Sequence, residues 1–253
     1  MTALIRFEHP LSERVRNFLR IGYLFSRFHE MLVHTEMWAH HNALFTLFEI
    51  MEAAARAELK LDILQELERQ KSLLCSQSEL NQEKLDSILT AISDLQNVQQ
   101  KFGQHLRENE WLMAIKQRMF VSGGTSPFDL PSYYYWQKKP HEEREKQLRQ
   151  WIQSLLPTYE AINLLLGILR QNSLNVECVA NAGSYQHASL AQNIHLLAID
   201  ITKDTAALPE VSANKYFTHI RFLQASQQFA RGQLVNNDVP FTLIMCSFDP
   251  VVQ

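Results

Sequence analysis

Arg16, Arg20, Arg27 and His34 recur along one stripe of a helical segment, a spacing that lines cationic side chains up on a single face. The positions four residues beyond Arg16 and Arg20 are Arg20 and Leu24, so no carboxylate neutralises either arginine there. A row of guanidinium groups without counter-ions suits one chemistry above others, the binding of anions. The competing reading is an ordinary solvated helix face.

Other constellations lead away from catalysis. His29 and His34 frame Glu30-Met31-Leu32-Val33 and look at first like a helical zinc-protease motif. They are five residues apart where that motif needs four, which turns the second imidazole away from the first. His29 falls on an apolar stripe and reads as a hydrogen-bonded core residue. His40 and His41 point to different sides and lack a third ligand. No Gly-x-Ser-x-Gly elbow occurs, and no Gly-x-Gly-x-x-Gly follows a strand. Gly123-Gly124 lacks the Lys-Ser/Thr pair of a phosphate loop. No catalytic residue, cofactor site or metal site is assigned, although catalytic groups need not share a local motif.

The elements that position the cations follow from composition and periodicity. The 253 residues suffice for one large domain or two small ones, and a hydrophobic fraction of 46% supports a sizeable core. A net charge of -3 excludes a globally basic nucleic-acid binder or a polybasic membrane protein. Three dispersed cysteines, Cys75, Cys178 and Cys246, suit buried thiols in a reducing cytoplasm. The opening residues carry no secretory-leader pattern. The longest apolar run, Ala161 to Leu169, is too short to span a bilayer.

Alternation over residues 4–8, stopped at His9-Pro10, predicts a strand. Ser12 caps a helix to about His34, with Leu11, Val15, Phe18, Gly22, Phe25, His29 and Leu32 on its core stripe. Further helices are predicted over about 38–56, 57–74, 80–101 and 105–117. Ser132 is expected to cap a short aromatic helix, followed by helices over 141–155 and from Pro157 to Gln171. Between them, Gly123 to Pro131 reads as a rigid connector whose Phe128 and Leu130 dock on a core while Asp129 faces out.

Beyond Asn172 the period changes to two. Strands are expected around Leu174–Val179, Ile194–Ile199, Tyr216–Leu223 and Phe241–Cys246, with turn-rich spacers at Asn181, Pro209, Arg231 and Asn236. The fold class is α+β, with a helical domain over 11–171 and an antiparallel β-strand domain over 172–253 that the strand at 3–9 joins. In Tyr216–Leu223, alternation turns Phe217, His219 and Arg221 outward and Ile220 and Phe222 inward.

Phe7-Glu8-His9-Pro10-Leu11, then Arg16 and Leu19-Arg20-Ile21, resemble the amino-terminal signature of the ZapD family of Z-ring-associated bacterial division proteins. Arg56-x-Glu58 with Leu64-x-Glu66-Leu67-Glu68-Arg69-Gln70 is similar to that family's helix pair. Gln117-Arg118, Gly123-Gly124 and Phe128-Asp129-Leu130-Pro131 resemble its middle block. Trp151-Ile152-x-Ser154-Leu155, Ile168-x-Arg170-Gln171 and Ile220-Arg221-Phe222 continue the match, and Gln224 to Val239 departs most.

The resemblance implies a homodimer recruited from the cytoplasm to the midcell ring. It implies binding to the C-terminal tail of FtsZ, the tubulin-like division GTPase, and cross-linking of its filaments, without catalysis, cofactor or small-molecule substrate. Carried over residue by residue, Arg20, Arg221, Arg56 and Arg118 match its basic tail-binding positions. Lys116 stands where the family has arginine and keeps the charge without the planar fork. Arg16 joins them from the helix stripe. The expectation is one basic concavity bordered by Arg20 and Arg221 and reached by Lys116 or Arg118. Two other readings stay open at this point: a nucleic-acid or nucleoid adaptor using the same arginines, and a metal or hydrolytic enzyme built on His29, His34 and His40.

Overall fold

In the computed structural model, residues 3–54, 58–76, 81–98, 102–188, 190, 193–214, 216–226 and 232–250 are described. The chain divides into two units, residues 17–165 and residues 1–16 with 166–253, the divisions falling within α1 (Glu13–Leu32) and α9 (Leu156–Gln171).

The helical unit follows from the apolar period. On α1, Val15, Phe18, Ile21, Phe25, Phe28 and Leu32 are buried at spacings of three and four. Ile21 and Phe28 take the core places that the sequence pattern gives to Gly22 and His29, which are half-buried. Val15 N–H donates to Ser12 Oγ at 3.3 Å, as an N-cap does. Helix α2 (Met37–Ala53) buries Ala43, Leu44, Thr46, Leu47, Phe48, Ile50 and Met51, nearly all round its axis. It can do so because α6 (Glu110–Met119), α7 (Pro131–Gln137) and α8 (His141–Ile152) pack around it. Helices α3 (Leu59–Cys75) and α4 (Gln82–Asn97) pair as a hairpin through Ile63, Leu67, Ile88 and Ile92.

Several boundaries differ from the sequence reading. The helix expected over 105–117 is two helices, α5 (Gln104–Arg107) and α6. Asn109 breaks it by accepting the Leu112 N–H at 3.0 Å, a side-chain bond that competes with helix continuation. Helix α4 ends at Asn97. Ser132 does not cap α7; Pro131 occupies its first position, where a missing N–H costs nothing. The connector after α6 is a series of tight turns, and Phe128 is 84% exposed instead of docked. Helix α8 runs through a 3₁₀ turn into α9, so His141–Gln171 is helical for 31 residues, longer than its apolar run implies. Length and composition alone would let it cross a membrane; half of its apolar window is buried inside the protein, as in a core helix.

An aromatic cluster locks α6, α7 and α8 together. Trp111, Tyr133, Trp136 and Trp151 lie with ring centres 5.7 to 6.3 Å apart. The Arg144 guanidinium donates to the Gln137 carbonyl at 2.6 Å and the Thr35 carbonyl at 2.7 Å, tying the end of α7 to the chain leading into α2.

In the other unit, β1 (Leu4–Pro10), β4 (Ile194–Thr202), β7 (Val239–Ser247) and β2 (Ser173–Ala180) form an antiparallel sheet in the order β1-β4-β7-β2. The N-terminal strand therefore joins the C-terminal sheet. Arg6 sits opposite Asp200 and donates to both its carboxylate oxygens, at 2.8 and 2.6 Å. Central strands β4 and β7 carry the apolar runs Leu196–Ile199 and Leu243–Cys246, in which successive residues are buried on both faces of the sheet. A second sheet, in the order β3-β6-β5, contains β3 (Ser184–Ala188), β6 (Phe217–Gln224) and β5 (Ala207–Ala213). Strands β3 and β5 are additions to the sequence reading. Pro209 lies inside β5 and not in a spacer, which an edge strand tolerates. Ile220, Phe222, Leu243 and Phe241 fill the core of this unit. The helices and antiparallel sheets are segregated along the chain, an α+β fold.

Candidate partner-binding surface

The candidate cations differ in how committed they already are. Arg20 is exposed on α1 and has no charged partner among the described residues. Arg118, exposed in the last turn of α6, is likewise without a side-chain partner among the described residues. Arg16 is neutralised after all: Glu13, three residues before it, lies 3.4 Å away. The counter-ion sits behind the arginine, where a search at i+4 does not look. Lys116 pairs with Glu52, and Arg221 with Glu210. Arg56 lies outside the described residues.

Helix α2 organises the helical part of this set. Glu49 and Glu52 are three residues apart and share its solvent stripe. Arg27 reaches that stripe from α1, donating Nε–H to Thr46 Oγ1 at 2.9 Å and pairing with Glu49. Lys116 reaches it from α6 and pairs with Glu52. Phe120, one turn beyond Lys116, has its ring centre 6.1 Å from that of Phe45, one turn before Glu49. The end of α6 thus runs alongside α2 in the opposite direction, and two ion pairs and an aromatic pair form one row. Tyr23, 65% exposed, stands between Arg20 and Arg27 on α1.

Arg221 belongs to the other unit. On β6, Phe217 and Arg221 are exposed and His219 half-buried, whereas Thr218, Ile220 and Phe222 are fully buried, so Arg221 points outward as alternation predicts. It stands between Glu210 of β5 and Ser184 of β3 in register, and His219 shares a 2.9 Å hydrogen bond with the Ser184 hydroxyl.

The histidines take other parts. His29 is half-buried with its ring 5.8 Å from Phe28 and 5.6 Å from Tyr159, and burial, with Arg149 nearby, holds its pKa down. Its contacts are aromatic more than polar. His34 is exposed, and His40 is fully buried. His41 shares a 2.7 Å hydrogen bond with the Tyr133 hydroxyl, and burial lowers its pKa while raising that of the tyrosine. Among the described residues, no three His, Cys, Asp or Glu side chains are grouped so as to hold a metal ion.

A groove of about 690 Å³ between α4 and α9 is lined by Glu83, Asp86, Asp94 and Glu160 beside Pro157 and Leu164. Its charge has the wrong sign for an anionic ligand, which leaves the α1–α2–α6 row as the better anion surface.

Sequence reasoning missed Arg27 as a link to α2, and it missed Phe45 and Phe120. The signal for the first was present: Glu49 and Glu52 interrupt the apolar run of α2 at helical spacing. Nothing in sequence marked Phe120 as exposed.

A family model described as a cell division protein, ZapD, matches residues 19–221, a span holding Arg20, Lys116, Arg118 and Arg221 but not Arg16. The chain is 43% identical over 252 residues to "Cell division protein ZapD" of Chromobacterium violaceum, covering 97% of this chain and 100% of that protein. It is 40% identical over 252 residues to the protein of the same name from Janthinobacterium sp. (strain Marseille), with the same coverage. Against that of Aromatoleum aromaticum it is 39% identical over 251 residues, covering 96% and 98%.

Proposed function

The chain belongs to the ZapD family of cell division proteins, and from that premise we propose that it is a non-enzymatic adaptor for the division ring. In this reading it is a cytoplasmic homodimer, recruited to midcell, that binds the acidic–apolar C-terminal tail of FtsZ and cross-links FtsZ filaments. The observation that carries it is the exposed, uncommitted Arg20 beside a helix row that brings Arg27 and Lys116 together. Arg118 and Arg20 can meet a carboxylate without first giving one up. Lys116, Arg221 and Arg16 must exchange or share an internal carboxylate, so their net contribution is smaller. Arg56 enters through family resemblance alone. Arg20 and Arg221 belong to different units, and each enters the proposal as a tail contact in its own right.

Bundling then needs no further chemistry. A two-fold dimer presents two copies of one site, and each copy can hold a tail from a different filament. Many tails along each filament multiply weak single contacts into avidity.

Titration of a labelled FtsZ tail peptide, against a DNA duplex of similar charge, tests the reading. Wild-type protein should bind the peptide, more weakly as salt rises because exposed ion pairs are screened over roughly 8 Å at physiological ionic strength. Arg20→Glu should weaken binding and leave the fold intact. Preference for the duplex would replace this reading with nucleic-acid binding.

A further inference from the structure

The row on α2 ends in an aromatic pair that charge does not explain. Phe120 caps α6 with 68% of its surface in water, and Val121 beside it is also exposed. A large apolar side chain left in water at a fixed place, next to cations, is a common mark of a partner contact. One ring packs beside it, and the backbone that follows it is tightly turned. Phe45 backs the ring at 6.1 Å and a tilt of 53°. Behind it the connector turns so tightly over α6 that a Cβ added at Gly124 would lie 2.5 Å from the Arg118 carbonyl oxygen and 2.9 Å from Val121 Cβ. The tight turn holds the backbone that carries the exposed ring close to the end of α6, so little backbone freedom is lost there on binding.

We propose that Phe120, backed by Phe45, is the apolar anchor of the tail site. It takes a large aliphatic or aromatic side chain of the peptide while Arg118 and Lys116, within one turn of it, take neighbouring carboxylates. The inference rests on the tail-binding reading and adds its specificity: a peptide needs both an acid and an adjacent large apolar residue. Charge complementarity favours this occupant. Two rings and a valine also fall far short of the roughly 800 Å² per partner that a stable dimer buries.

The test is a fluorescence titration of the FtsZ tail peptide against wild type, Phe120→Ser, Phe120→Leu and Arg118→Gln. A second peptide keeps the acids and replaces the large apolar residues by serine. Phe120→Ser should weaken native-peptide binding about tenfold with an unchanged salt slope, the order of an ordinary interface anchor. Phe120→Leu should keep most of the affinity, and Arg118→Gln should flatten the salt slope. The serine peptide should bind wild type about as weakly as the native peptide binds Phe120→Ser, with little further loss when the two are combined. Equal affinity of wild type and Phe120→Ser for the native peptide would overturn the anchor. So would additive losses, or a Phe120→Ser variant that loses dimer mass in sedimentation while keeping tail affinity, which would give the ring to a second copy. No binding of the native peptide by wild type would sink the tail-binding reading itself, an outcome distinct from these.

Discussion

Reversing Arg221 to Glu separates the stability of the three-stranded sheet from the binding of a tail. Glu210 and Arg221 are directly opposite in the β5–β6 register and form an ion pair with both side chains about half exposed. At that exposure the pair contributes about 0.5 kcal/mol. Arg221→Glu removes it and places two carboxylates opposite each other, which costs about another 0.5 kcal/mol. The sum, about 1 kcal/mol, should lower Tm by roughly 2–4 °C for a chain of this size. Arg20→Glu, which breaks no ion pair among the described residues, should change stability by less than about 0.5 kcal/mol. The exchange Glu210→Arg with Arg221→Glu puts opposite charges back in the same register and should recover most of the lost Tm. It moves the cation one strand over, so tail affinity should stay low. Calorimetry and peptide titration on the same four proteins read both effects. A swap that leaves Tm at the single-variant value would refute the cross-strand argument. A swap that restores affinity would show that only net charge matters, and not the position of Arg221.

Acid should destabilise the protein early. Burial holds His9, His29, His40 and His41 below the ordinary histidine value of 6.5. With folded values depressed, stability is complete above pH 6.5 and falls as the unfolded chain takes up protons below it, so the urea midpoint should drop between pH 7.5 and 5.5. Thiol labelling of the native protein should modify exposed Cys75 first. Cys178 and Cys246 should react only on unfolding, since both are buried and burial pushes the Cys246 thiol up to about 11. Asn109→Ala should cost about 1 kcal/mol in chemical denaturation, because the start of α6 loses its side-chain cap.

Much of this was legible because period reports burial. The stripe of α1 and the alternation of β6 placed Arg20 and Arg221 on outward faces before any coordinates. Local rules failed where a distant partner decides. Glu52 lies 64 residues from Lys116 and Glu210 lies 11 from Arg221, so neither ion pair has a short-range signal. The Arg16–Glu13 pair was local but ran toward the N-terminus. Strands β3 and β5 escaped because Ser184, Gln186 and Pro209 lower strand propensity, and pairing to β6 supplies what propensity lacks. The Asn109 break looked like helix interior because no Gly or Pro lies between His105 and Gln117 and the apolar residues Trp111, Leu112 and Ile115 follow it closely. Phe128 was read from hydrophobicity and alternation and Phe120 was not read at all, because hydrophobicity does not say whether a ring in a connector or at a helix end meets a core or the solvent.

The central claim is that the protein joins filaments through their tails. Co-sedimentation of FtsZ filaments with this protein, run in parallel on full-length and tail-deleted FtsZ, measures that directly. Bundles should pellet with full-length FtsZ, disappear with tail-deleted FtsZ, and thin out as salt rises. Equal bundling of the two filament types would contradict the account.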